Sequence, residues 1–189
     1  MRPPRQSGRI VVLGDSLSVS PTDRDNFPAV LENRMRARGL GWSVINAGVR
    51  GDTTAGGLRR IDTLLASNRP DILIIALGAN DGLRGLDVDG MSRNLDEMIG
   101  RAQTSGAAVL LCGMQLPPIN LLPYGRRFRN AFDRIASEHD VAFVPFLLDG
   151  VALDGRMNGT DGIHPNTEGA QKIADTLWPY LDRLVRNLS

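Results

Sequence analysis

Two histidines occur in this sequence of 189 residues, and one of them stands in a pattern that could do chemistry: Asp161-Gly162-Ile163-His164-Pro165-Asn166. A carboxylate three positions before an imidazole can fold back onto one ring nitrogen, fix the tautomer and leave the other nitrogen as a base. Such a base needs a hydroxyl to deprotonate. Ser16 offers one in Ile10-Val11-Val12-Leu13-Gly14-Asp15-Ser16-Leu17-Ser18, where a β-branched run ends in glycine and two polar residues open a strand-to-helix turn. There the hydroxyl sits beside the first free N–H groups of a helix, which favour developing negative charge. Two more segments supply candidate donors, namely Gly51 in Asn46-Ala47-Gly48-Val49-Arg50-Gly51-Asp52-Thr53-Thr54 and Asn80 in Leu77-Gly78-Ala79-Asn80-Asp81-Gly82. Each piece alone has a plain structural reading as a helix cap, a turn glycine, a turn asparagine or a polar turn. The joint pattern is far rarer: a nucleophile, an oriented base and donors for an oxyanion. His139, in Ser137-Glu138-His139-Asp140, reads as a solvated surface residue.

These groups must be held by the elements around them. Short apolar runs predict strands at Arg9–Leu13, Ser43–Asn46, Asp71–Leu77, Ala107–Cys112 and Val141–Val144. Helical spacing lies between them, in Phe27, Val30, Leu31 and Met35, in Leu58, Ile61, Leu64 and Leu65, and in Met91, Leu95, Met98, Ile99 and Ala102. A further helix is predicted over Arg126–Ser137, and a last one from Pro165-Asn166, which Pro179 should kink or divide. Alternating strands and helices imply an α/β fold, a parallel sheet with helices on both faces and reactive groups at the carboxyl ends of the strands. Ser16, Gly51 and Asn80 all follow predicted strands.

Gly14-Asp15-Ser16-Leu17, Gly51, Gly78-Ala79-Asn80-Asp81 and Asp161-Gly162-Ile163-His164 resemble, block by block, the four motifs of the SGNH (GDSL) hydrolases. The stretches Asn46 to Leu58, Asn80 to Gly85, and Met114-Gln115 through Tyr124-Gly125-Arg126-Arg127-Phe128 are similar to the bacterial group of multifunctional thioesterases, proteases, lysophospholipases and arylesterases. The resemblance covers roughly residues 9–180. It implies a three-layer, flavodoxin-like fold with five parallel strands in the order 2-1-3-4-5. It also implies Ser16 as nucleophile, His164 as base and Asp161 as its orienting partner, with an oxyanion hole made of the Ser16 and Gly51 N–H groups and the Asn80 side chain. The implied activity is hydrolysis of carboxylic esters or thioesters (aryl or short-chain esters, acyl-CoA, lysophospholipids) through an acyl-enzyme, with no cofactor and no metal. The absence of a second glycine after Ser16, with Asp161 and His164 only three apart, argues against a Gly-x-Ser-x-Gly elbow. Leu83, Leu86, Leu116, Ile119 and Leu121 fall on loops at the catalytic edge and are candidates for an apolar acyl-binding wall. The segment Leu116 to Pro123 looks about two residues longer than is usual in that group.

Composition narrows the alternatives. Basic residues number 22 and acidic ones 21, so no charge excess argues for nucleic acid or an anionic membrane as partner. Lys172 is the only lysine, a bias without an evident physical cause. With Cys112 as the only cysteine, an internal disulfide is impossible and a cysteine metal cluster is disfavoured. No apolar run approaches the ~20 residues of a membrane span. Residues 1–8 are expected to form a loose arm and residues 9–189 one hydrolase domain. The arm lacks the apolar centre of a secretory signal; the expected location is periplasmic or secreted if a signal has been removed, and cytoplasmic otherwise. The oligomeric state has no signature in the sequence. Two rival readings are a metal-dependent phosphoesterase, with Asp15, Asn80, Asp81, Asp161 and His164 around hard cations, and a non-catalytic binding module.

Overall fold

The computed structural model of the protein describes residues 7–116 and 123–188. Five strands, β1 (Ser7–Gly14), β2 (Gly41–Asn46), β3 (Ile72–Ala76), β4 (Ala108–Cys112) and β5 (Ala142–Val144), pair in parallel in the order β2-β1-β3-β4-β5. Among the described residues seven helices are interleaved: α1 (Ser16–Val19), α2 (Phe27–Ala37), α3 (Thr54–Asn68), α4 (Ala79–Leu83), α5 (Val88–Thr104), α6 (Pro123–Glu138) and α7 (Thr167–Asn187). The middle strands are apolar at successive positions because both faces are covered. Ile10 to Leu13 and Ile72 to Ile75 are wholly inaccessible to solvent. Helices α3, α5 and α6 pack side by side on one face, and α2 and α7 pack on the other, the arrangement that right-handed crossovers require.

Several details differ from the sequence-based expectation, for physical reasons. Strand β1 begins at Ser7, so Ser7 and Gly8, expected in the arm, instead pair with Gly41 and Trp42; residues 1–6 lie outside the described residues. The indole lies over Gly8, where an added Cβ would come 2.6 Å from the ring, and a Ser-Gly pair carries no apolar signal of its own. Of the two outcomes expected at Pro179, a kink or a division, the second does not occur: α7 runs through it as one helix. Pro179 and Asp175 are both exposed, so the carbonyl that loses its helical donor can be solvated, while Ala174, Leu177, Leu181 and Val185 keep the inner face buried. Helix α1 begins at Ser16 as the strand-to-helix turn implies, but it is only four residues long; α4, five residues long, is too short to show a period and has no counterpart in the sequence-based reading.

On the outer layer, Arg34 pairs with Asp175 and Arg38 with Asp182, and both guanidinium groups lie over the Trp178 ring. This ladder fixes α2 and α7 parallel to each other. His139 differs from the solvated residue expected: its Nε2 lies 2.6 Å from Asp96 Oδ1 and its side chain is only 21% exposed, at the amino edge of the sheet. Among the described residues no helix is long and apolar enough to cross a membrane.

Candidate active site

Gly14 ends β1, and Asp15 caps α1 by accepting the Leu17 N–H at 2.9 Å, which makes Ser16 the first helical residue. The half-buried hydroxyl is thereby presented at the carboxyl edge of the sheet. The loop before α7 brings its partners. Asp161 Oδ1 accepts the N–H groups of Ile163 (2.9 Å) and His164 (3.0 Å), and Oδ2 lies 2.6 Å from His164 Nδ1. A carboxylate can only accept, so Nδ1 carries the proton and Nε2, 2.9 Å from Ser16 Oγ, is left to accept from the hydroxyl. Asn166 anchors the loop on its other side. It caps α7 through Gly169 N–H and donates to the Arg156 and Asn158 carbonyls. Ser16, His164 and Asp161 thus form one hydrogen-bonded line between segments 148 residues apart in the chain.

The candidate donors meet at the same edge. Gly51 has φ of +74°, which only glycine adopts without strain, so the turn needs this residue whatever else it does. Among the described residues, neither the Ser16 nor the Gly51 N–H finds an acceptor within the chain. Asn80 stands in the first turn of α4, and its amide is occupied: Nδ2 donates to the Asp52 carbonyl at 2.8 Å and to Asp15 Oδ2 at 3.3 Å. Reaching an oxyanion would mean exchanging the longer of these bonds. The Gly51 loop and α4 are tied together beneath the surface, where Asp81 accepts both Thr54 N–H (2.9 Å) and Thr54 Oγ1 (2.6 Å) and Asn94 donates to that hydroxyl at 3.0 Å.

Two carboxyl groups are displaced in opposite directions. Asp15 is fully buried, and burial, with the nearby Asp52 charge adding to it, pushes its pKa up to about 6 despite the Leu17 N–H bond. Asp161 is held well below the usual carboxylate range by its bond to the His164 ring and by the two backbone N–H groups. It therefore stays ionised, as an orienting partner must. Among the described residues, no group of three or more histidine, cysteine, aspartate or glutamate side chains could hold a metal ion.

Beside this line opens an apolar cavity of about 420 Å³, bounded by Ala79 and Leu83 of α4, Leu116 after β4, Phe128 of α6, and Phe146, Leu148, Leu153 and Ile163 after β5. Of the proposed acyl wall, Leu83 and Leu116 line the cavity. Leu86 does not: it belongs to the turn after α4, held by Tyr124 Oη on its carbonyl at 2.7 Å. Ile119, Leu121 and most of the long Leu116 to Pro123 segment lie outside the described residues. The wall from the chain after β5 went unseen because its apolar residues follow no period. Asp15 as a buried partner of Asn80 was also missed, since a cap residue looks the same in sequence.

Several known proteins are similar to this chain over most of its length. The model of the GDSL-like lipase/acylhydrolase family matches residues 12–172. The chain is 39% identical to Esterase TesA of Pseudomonas aeruginosa, over 93% of this chain and 89% of that protein. It is 36% identical to an arylesterase of Vibrio mimicus, over 89% and 86%. It is 34% identical to thioesterase 1/protease 1/lysophospholipase L1 of Escherichia coli, over 94% and 85%. Among solved structures, that of TesA superposes with a TM-score of 0.90 at 38% identity, covering 93% of this chain and 99% of the other. The esterase EstA of a Pseudoalteromonas species, solved inhibited by monoethylphosphonate, superposes at 0.87 with 29% identity, covering 93% and 97%. With the sheet order, the motif blocks and these matches all in accord, the chain belongs to the GDSL-like lipase/acylhydrolase family, the SGNH hydrolases.

Proposed function

We propose that this protein is a serine esterase and thioesterase that cleaves acyl esters through an acyl-enzyme on Ser16. The observation that carries the reading is the line from Ser16 Oγ through His164 to Asp161, at 2.9 and 2.6 Å. His164 Nε2 takes the hydroxyl proton as Oγ attacks the carbonyl carbon, and the ionised Asp161 stabilises the imidazolium that forms. The negative charge arising on the carbonyl oxygen is received by the Ser16 and Gly51 N–H groups and by Asn80 Nδ2. His164 then returns its proton to the departing alcohol or thiol, and water repeats the sequence in reverse to release the acid. The cavity beside α4 takes the acyl or aryl group. Its volume suits a small-molecule pocket, and its walls are apolar.

A panel of p-nitrophenyl acyl esters and acyl-CoA thioesters of graded length tests this, with Ser16→Ala alongside. Turnover lost in Ser16→Ala, with a single phosphonate adduct on Ser16 of the native protein, supports the reading. Activity abolished by chelator and retained in Ser16→Ala refutes it.

A further inference from the structure

We infer that Arg60 is a positioning residue of this site: its guanidinium holds the Gly51 loop, and through the Asp52 carbonyl the Asn80 amide, in register with the strand end that carries Ser16. The inference rests on the roles proposed above for Ser16, Gly51 and Asn80. Arg60 lies on α3, in a stretch whose sequence shows only an amphipathic helix. Yet all three nitrogens of its guanidinium are engaged, one by the end of β1 and two by the loop after β2. Nη2 donates to the Gly14 carbonyl at 3.0 Å, two residues before the nucleophile. Nη1 donates to the Ala47 carbonyl at 2.6 Å, where the chain leaves β2. Nε donates to Asp52 Oδ2 at 2.9 Å, one residue after Gly51.

These acceptors are the two ends and the base of the oxyanion loop. The same Gly14 carbonyl also accepts the Val49 N–H at 3.1 Å, so loop and strand end already touch there, and Arg60 closes the remaining gap. Asp52 passes the constraint on. Its Oδ1 accepts the Thr53 N–H at 3.2 Å, and its carbonyl accepts Asn80 Nδ2 at 2.8 Å. The fit around the carboxylate is close, since a Cβ at Gly56 would come 1.5 Å from Asp52 Oδ1. The Arg60 and Asp52 side chains are 26% and 11% exposed, so this is a half-buried clamp and not a solvated surface pair. A planar fork with three donors at fixed angles can serve three carbonyl and carboxylate acceptors at once; a lysine ammonium in the same place cannot. The hydrogen bonds of Arg60 go to Asp52, Ala47 and Gly14, not to Ser16 or His164, and it is not among the residues that line the apolar cavity. Its loss should therefore act on the transition state, where donor placement within a fraction of an ångström decides the rate, and leave ground-state binding of the acyl group alone.

The test compares Arg60→Met, Arg60→Lys and Ser16→Ala with the native protein on p-nitrophenyl butyrate, with Arg59→Met, an exposed neighbour on the same helix, as the control. Arg60→Met is expected to lower kcat by about 100-fold with KM within about twofold. Affinity for an alkyl trifluoromethyl ketone, which forms the tetrahedral oxyanion, should fall by a similar factor, while inhibition by butyrate should not move. Arg60→Lys, which keeps the charge and loses the fork, should still lose at least about 10-fold, and guanidinium ion should restore part of the Arg60→Met rate. A purely structural arginine would change the melting temperature without separating the ketone from butyrate. Should Arg60→Met fail to fold, a folded Arg60→Lys with native kcat overturns the inference by itself. Native kcat in Arg60→Met, with Ser16→Ala inert, overturns it and leaves the proposed function standing. Activity retained in Ser16→Ala overturns both.

Discussion

Replacing Asp15 by asparagine should stabilise this protein above neutral pH and cease to do so in acid. Asp15 is inaccessible to solvent, and burial first and the Asp52 charge second raise its pKa from an ordinary 3.8 to about 6. Between these values the folded chain binds more protons than the unfolded one, so stability falls as pH rises through that window, and the loss is complete above it. At 1.36 kcal/mol per pKa unit, the ionised carboxylate is about 3 kcal/mol worse off in the fold than in the unfolded chain. Asparagine removes that term and keeps an oxygen for the Leu17 N–H, but it turns an amide toward Asn80 Nδ2 and forfeits that bond, about 1 kcal/mol. The net gain at pH 8 is about 2 kcal/mol, or roughly 4–8 °C in melting temperature for a chain of this size. At pH 4 the native Asp15 is already protonated in the fold, and the variant should be slightly the less stable of the two. Thermal melts and urea titrations of both proteins at pH 4 and 8 measure the crossing. A variant that is less stable by the same amount at both values would show that the carboxylate is held for its cap and its bond to Asn80, and that its burial is not the dominant energy.

Asn80→Ala should lower kcat by roughly 10²–10³-fold with little change in KM, and Asn80→Asp should be at least as damaging to kcat and milder to stability; steady-state kinetics with melting curves separate an oxyanion donor from a turn residue. His139→Ala should keep native turnover and lose at most about 1 kcal/mol of stability, read by urea titration, because its pair with Asp96 sits at the opposite edge of the sheet. Leu148→Trp, which fills the cavity beside α4, should depress kcat/KM for long acyl esters far more than for the acetyl ester; equal losses on both would mean that the chain binds elsewhere. Because the Asp161 carboxyl is held low, the stability it contributes persists above its ordinary pKa and disappears only as pH falls through the depressed value. Asp161→Asn should therefore differ from the native protein in its melting curve at pH 5 to 8 and converge with it in strong acid.

Much of this arrangement is legible in the chain because it follows from strong periodic signals. The apolar runs Ile10 to Leu13 and Ile72 to Ile75 are buried on both faces and read as interior strands, and the alternation with helices limits the topology to few choices. The convergence of Ser16, Gly51 and Asn80 follows from the rule that loops after parallel strands share one edge. What could not be read depends on contacts with no local signature. Arg60 looks like any helix-surface arginine until the Gly14, Ala47 and Asp52 oxygens surround it. Leu148, Leu153 and Ile163 join the cavity through irregular chain after β5, where neither a helical nor a strand period exists to mark an inner face. Leu86 failed for the converse reason: an apolar residue on a catalytic-edge loop is placed by its turn, and here the turn directs it outside the cavity lining.

The direction of the outer helices has a practical consequence for handling the enzyme. Strand β1 starts at Ser7 on the amino edge and runs toward Ser16, whereas α7 starts beside His164 and, locked parallel to α2 by the Arg34–Asp175 and Arg38–Asp182 pairs, runs back toward that amino edge. At 1.5 Å per residue its 21 residues carry the chain about 30 Å from the catalytic loops. Both ends of the described chain thus emerge on the side away from Ser16. A fusion partner, a surface tether or a resin linkage attached at the side where the described chain begins and ends would leave the apolar cavity facing outward, whereas attachment through an exposed side chain of the loops after β2, β3 or β5 would turn the same cavity toward the support.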